Sequence, residues 1–199
     1  MKKYYVLFLF FSLNFYFSQQ AERLKLVKEK YDAEIQKINN KYTDDIAEAP
    51  LRKHAKITLK KDSDIGTLEL KRNNEYLEEL EKIKSGYILE DFQLKTDMKD
   101  TEEDKSPKYP DGIEALKKEI AENLNTNLVR GKGIIQSRVV FIIDLDGSIM
   151  TAKAFGENES FNKQAELAIL LIKKKWEPAK KNNQPYRARL RVPLTLNFD

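Results

Sequence analysis

The sequence predicts an α+β protein: an N-terminal long helix, then a C-terminal domain of two helices packed on a three-stranded antiparallel sheet in the order α-β-β-α-β. Three observations carry this expectation. Leu24, Val27, Tyr31, Ile35, Ile38 and Tyr42 recur every three or four residues, the period of one helix face. The run Val139-Val140-Phe141-Ile142-Ile143 is β-branched and aromatic, as a well-buried strand requires. Near the carboxyl end, Ala188, Leu190, Val192, Leu194, Leu196 and Phe198 alternate with Arg187, Arg189, Arg191, Thr195 and Asn197, the period of a strand with one face in the core.

Composition bounds what the chain can do. Its 199 residues are 34% charged and 41% hydrophobic, which allows a small core under a busy surface rather than wholesale disorder. A net charge of +4 is too modest to mark a nucleic-acid binder, and none is expected. With no cysteine, disulfides, thiolate metal sites and cysteine nucleophiles are excluded. The single histidine, His54, sits in the run Arg52-Lys53-His54 and is expected to be solvent-exposed rather than catalytic. No nucleophile elbow, phosphate loop or metal pattern appears, so the expectation is no enzyme, no metal and no cofactor.

Met1-Lys2-Lys3 followed by a nearly unbroken apolar run from Tyr4 to Phe17 is the layout of a secretory signal. A membrane-crossing helix needs about 20 apolar residues, and this run gives way to Ser18-Gln19-Gln20. Length favours cleavage after Ser18 over an uncleaved signal anchor, and membrane contact is expected only in the uncleaved case. Residues 1–18 are set aside, and an exported, periplasmic location is expected.

Residues 19–48 read as a charged amphipathic helix that ends at Ala49-Pro50. Its stripe packs on the chain itself or on a second copy in a homodimer; without sustained heptads the former is preferred. Residues 49–94 are the least legible: Lys56–Leu59 and Thr67–Leu70 alternate like strands, and Asn73–Lys84 reads as a helix capped by Asn73 or Asn74. A small α+β unit and an elaborated linker are both compatible with them. Residues 95–108 carry Asp97, Lys99, Asp100, Glu102, Glu103, Asp104 and Lys105 with almost nothing apolar, which reads as a solvated linker.

The domain at 109–199 opens with the turn cluster Tyr109-Pro110-Asp111-Gly112 and a helix with Ile113, Leu116, Ile120, Ala121 and Leu124 on one face. Asp144-Leu145-Asp146-Gly147 is a hairpin turn, so Asp144 and Asp146 are read as turn formers rather than a catalytic pair. A second helix spans roughly Phe161 to Lys174, with Ala165, Ala168, Ile169 and Ile172 inward and Lys173-Lys174-Lys175 at its end, favourably placed against the helix dipole. Trp176 is expected to plug the core. Asn182-Asn183-Gln184-Pro185 is a turn. Pro193 cannot donate to a ladder, which places the last strand at a sheet edge, where main-chain groups can meet an extended peptide.

Taken in order, Tyr109-Pro110 with Gly112, Gly133, Phe141-x-Ile143-Asp144, Asp146-Gly147-Ser148-Ile149, Ala165, Trp176-x-Pro178-Ala179 and Pro185 before a final strand resemble the C-terminal domain of the TonB family. Asp111, Gln184 and Ser137 depart from that pattern. The resemblance implies a periplasmic protein–protein module that captures an extended segment of an outer-membrane or periplasmic protein by strand addition. Tyr109 and Pro110 would then lie near the binding edge, and Tyr186, Arg187, Arg189, Arg191 and Pro193 would form it, the arginines favouring an acidic partner. With 6 prolines and no proline-rich spacer, the chain suits an adaptor better than the alternative, a membrane-anchored energy transducer coupled to the proton motive force.

Overall fold

A computed structural model describes residues 3–85 and 105–198. Two long helices come first, α1 (Lys3–Glu48) and α2 (Leu51–Ser85), followed by α3 (Gly112–Asn123), β1 (Gly133–Ile143), β2 (Ile149–Phe155), α4 (Glu159–Leu170), β3 (Ala179–Lys181), β4 (Gln184–Tyr186) and β5 (Ala188–Phe198). The chain divides into two compact units, Glu22–Leu80 and a remainder that carries the sheets.

The first unit is an antiparallel helix pair. Leu24, Val27 and Tyr31 of α1 are buried, as are Tyr76 and Leu80 of α2. The register is fixed by Arg23–Glu79 at 3.7 Å, Lys30–Glu75 at 2.9 Å, Arg72–Asp32 at 3.0 Å and Tyr42 Oη to Thr58 Oγ1 at 3.2 Å. Proline at position 50 separates the helices, and the His54 imidazole is half-buried against the end of α1, its Nε2 donating to the Ala49 carbonyl at 2.9 Å. This corrects the exposed reading of His54: a lost helical carbonyl needs a donor, and the first turn of α2 supplies one.

The two strands expected at Lys56–Leu59 and Thr67–Leu70, and the helix cap at Asn73 or Asn74, are absent; all lie inside α2. A four-residue alternation fits either period, and only a longer window separates them. The less exposed residues of α2 include His54, Ile57, Thr58, Lys61, Ile65, Leu68, Arg72, Tyr76, Leu80 and Ile83, which form a helical stripe running through both would-be strands. Gly66 lies mid-helix with open space around its Cα. Gly66→Ala is therefore expected to raise the stability of this unit by about 0.5–1 kcal/mol, since alanine has less backbone freedom to lose; thermal melting followed by circular dichroism checks it.

In the second unit the sheet order is β2-β1-β5, all antiparallel. A bulge at the end of the β1–β2 ladder pairs Ile142 with Thr151 and Ile143 with Ile149. Helix α4 lies on β1 and β2, while α3 packs against α4 rather than on the sheet. Where α4 lies on β2, Ala152 and Ala154 of the strand and Ala165 and Ala168 of the helix are all buried, and small side chains of this kind let helix and sheet approach closely. The helix side of β5 is deeply buried only at Ala188; Leu190 to Phe198 are half-buried. The opposite face does not simply meet water, since Val140, Ile142 and Thr151 are all under 9% exposed. The continuous apolar run of β1 is the sequence counterpart of that two-sided burial.

Two expectations about α3 and α4 are corrected. Ile113 is 59% exposed and Ala121 is also exposed, so the deeply buried face of α3 is Leu116 and Ile120, with Leu124 half-buried at its end. Helix α4 stops at Leu170, ahead of the lysine run: the Ile172 amide tightens onto the Ile169 carbonyl at 3.2 Å, and the Lys173 amide leaves the helix for Glu119 Oε1 at 2.6 Å. The lysines then serve separate contacts: Lys174 pairs with Asp111, and Lys175 Nζ lies 2.6 Å from Asp146 Oδ2.

Between α4 and β5 stands the hairpin β3–β4, unforeseen as strands, turning through Asn182 and Asn183 at φ 49° and 59°. Consecutive left-handed residues make the tight turn that suits strand twist, and asparagine tolerates them. On the other side of β3, Lys105 exchanges main-chain hydrogen bonds with Lys180 (2.8 and 2.9 Å) and Lys108 with Glu177 (3.1 and 2.9 Å). Residues 105–108 therefore belong to the folded unit rather than to the expected linker, and residues 95–104 lie outside the described residues.

Candidate docking site at the outer strand

Strand β5 lies at the margin of its sheet, with β1 as its ladder neighbour throughout Ala188–Phe198. The direction of its polar groups follows from one contact on the far margin. The Ala154 amide donates to Glu166 Oε1 at 2.8 Å, so the main chain of Ala154 faces away from β1. Its partner Val139 must then face β5 and pair with Val192. By alternation Arg191, Pro193 and Thr195 direct their main-chain groups away from β1, and among the described residues none of them takes a further main-chain partner. Pro193 thus stands where the ladder has no use for an N–H, as the sequence required.

The two margins of the sheet are chemically unequal. Glu166 is 3% exposed, and its carboxylate occupies the outward N–H of Ala154 in β2 from within the helix layer. A buried acceptor on an edge amide blocks strand pairing there.

The residues expected at the binding edge fall into two groups. Arg189, Arg191 and Pro193 lie on β5, with side chains on the face turned away from α4. Tyr109, expected near the edge, is instead 8% exposed: it stacks edge-on against Trp176 at 5.1 Å, and its hydroxyl donates to Glu119. Burial, with Glu119 adding to it, raises the phenol above its ordinary range. Pro110 follows it in the turn closed by Gly112 N to Tyr109 O at 3.1 Å, where Asp111 has φ 63°. This pair is a helix-entry anchor, because a buried aromatic packed on the core tryptophan cannot also present itself to a guest. Tyr186 sits half-buried in the β4 arm of the small hairpin. Arg187 is held by Asp144, Nε to Oδ1 at 2.9 Å.

The turn after β1 is tied together by side-chain hydrogen bonds. Asp144 Oδ1 also accepts the Leu145 amide at 2.8 Å, and Asp146 Oδ1 accepts both the amide and the hydroxyl of Ser148. Burial alone would raise the Asp146 carboxyl, but Lys175 and Ser148 outweigh it and hold the carboxyl at about 2. Trp176 closes the turn, its amide donating to the Gly147 carbonyl at 2.9 Å and its ring 5.7 Å from Phe141. Among the described residues no group of three His, Asp or Glu side chains could hold a metal ion, and no helix is long and apolar enough to cross a membrane.

Reading by parity alone missed Arg138. It shares the outer face with Arg189 and Arg191 because it pairs with Pro193 across the β1–β5 ladder, a register that follows from the tertiary pairing and not from either strand's own sequence. Arg138, Arg189 and Arg191, with Val140 and Phe155, line a shallow depression of about 250 Å³ on that face. No family model, no curated protein and no solved structure matches this chain.

Proposed function

We propose that this chain is a non-enzymatic, exported envelope protein whose C-terminal unit binds an extended segment of a partner protein by strand addition along β5, in the way that TonB C-terminal domains do. The observation that carries the reading is the inequality of the two sheet margins: β2 is blocked by Glu166, whereas β5 directs the polar groups of Arg191, Pro193 and Thr195 outward. A guest strand would satisfy them with main-chain hydrogen bonds, and the side chains flanking the edge would select among guests. The long apolar N-terminal run supports export, and the resemblance to the TonB family supports a partner at the outer membrane or in the periplasm.

A photo-crosslinker placed at position 191 of the full chain, in the source cells, tests this. The expected product is a single envelope partner, labelled within one extended segment. Thr195→Pro deletes one outward N–H without touching the β1 ladder, and should lower the crosslink yield about tenfold, the equivalent of roughly 1.4 kcal/mol for a lost hydrogen bond and strained neighbour. Circular dichroism and Trp176 fluorescence should stay unchanged. Undiminished crosslinking by a folded Thr195→Pro protein would rule strand addition out.

A further inference from the structure

The strands of the main sheet contain no acidic residue, yet the face turned away from α4 gathers Arg138, Arg189, Arg191 and Lys153. Arg138 and Arg191 are exposed, and among the described residues neither forms an ion pair. Like charges on neighbouring strands repel and are destabilising unless something of opposite sign lies among them. The depression between them is floored by Val140 and walled on one side by Phe155, which is 44% exposed.

Resting on the strand-addition reading, we infer that the guest is an acidic strand carrying carboxylates at every second position, which lie on this face against Arg191 and Arg138. The spacing follows from the ladder. A guest residue opposite Arg191 and the next but one, opposite Pro193, both turn their side chains to the arginine face. The first meets Arg191 directly. The second lies over Pro193, whose short ring leaves the way clear for Arg138, its ladder partner one strand further in. Guanidinium forks suit carboxylates held in this planar arrangement. Arg187 contributes nothing here, since Asp144 already holds it.

The test uses the full chain and fluorescein-labelled peptides of about ten residues, a usual strand length or a little more, alternating Asp with Val, Asn with Val, or Lys with Val. At low salt the Asp peptide should bind at least about tenfold tighter than the Asn peptide, with the advantage shrinking as salt is added. The double variant Arg138→Glu, Arg191→Glu should lose that advantage and bind the Lys peptide instead, which a merely structural role for the arginines would not produce. Equal binding of the Asp and Asn peptides overturns the inference and leaves strand addition standing. No binding of either overturns both, as does tight Asp binding that Thr195→Pro fails to weaken. A peptide of residues 97–104 that outcompetes the Asp peptide would make the occupant the chain's own acidic run, and self-association abolished by Arg191→Glu would make it a second copy; either result overturns the assignment to a partner protein.

Discussion

Gly147→Ala is expected to destabilise the C-terminal unit by on the order of 4 kcal/mol, a large fraction of the stability of an ordinary domain. Two effects add. Gly147 has φ 82°, a conformation that costs an alanine about 1 kcal/mol before any contact is made. The added Cβ would also fall inside the van der Waals envelope of the Trp176 carbonyl oxygen and 2.9 Å from its carbonyl carbon. Both obstacles are backbone, so no rotamer relieves them; relief requires pulling Trp176 away from the turn and breaking its 2.9 Å hydrogen bond to the Gly147 carbonyl. Denaturant unfolding followed by the fluorescence of Trp176, the chain's single tryptophan, reads the loss directly. An unchanged midpoint would mean that the turn and the tryptophan do not meet as described.

Trp176→Ala should cost about 3–5 kcal/mol, the usual range for deleting a large buried aromatic. At 6% exposed, the ring fills the space between Tyr109 and Phe141, so its removal strips the helix-entry turn and the central strand of a shared neighbour. Trp176→Phe should cost far less, under about 1.5 kcal/mol, because the indole Nε1 is buried without a hydrogen-bond partner among the described residues. Phenylalanine loses packing area but also removes that unsatisfied donor, and the two effects oppose. Circular dichroism in denaturant checks the pair of variants, and a Phe variant as damaged as the Ala variant would show that Nε1 is satisfied after all.

What the chain declares locally and what it declares only in three dimensions separate along clear physical lines. Residues 188–198 show their strand in their own alternation, and Pro193 shows its margin, because both signals arise within one strand. The turn at Asp144–Gly147 is equally local. By contrast, α2 shows two strand-like alternations because four-residue alternations are common inside helices, and only the stripe from His54 to Ile83 decides between the periods. Residues 105–108 have the composition of a solvated segment, yet Lys105 and Lys108 are held by main-chain hydrogen bonds to Lys180 and Glu177, which any side chains permit. The strands β3 and β4, three residues each, are too short for periodicity to register. At the candidate site, Arg189 and Arg191 were visible along one strand. Arg138 was not, because its place beside them is a property of ladder register. The burial of Tyr109 is hidden for a related reason: its own sequence neighbourhood says nothing of Trp176, which arrives from the far side of two strands and two helices.

The carboxylate that Glu166 lends to Ala154 also sets a limit on assembly. A sheet with two receptive borders can recruit copy after copy into an open-ended fibre, each molecule extending the last. Here a head-to-tail chain would have to seat β5 of one molecule on β2 of the next, and that step is refused by an acceptor already in place. Edge-on growth therefore terminates at a single added strand, or at one symmetric pair.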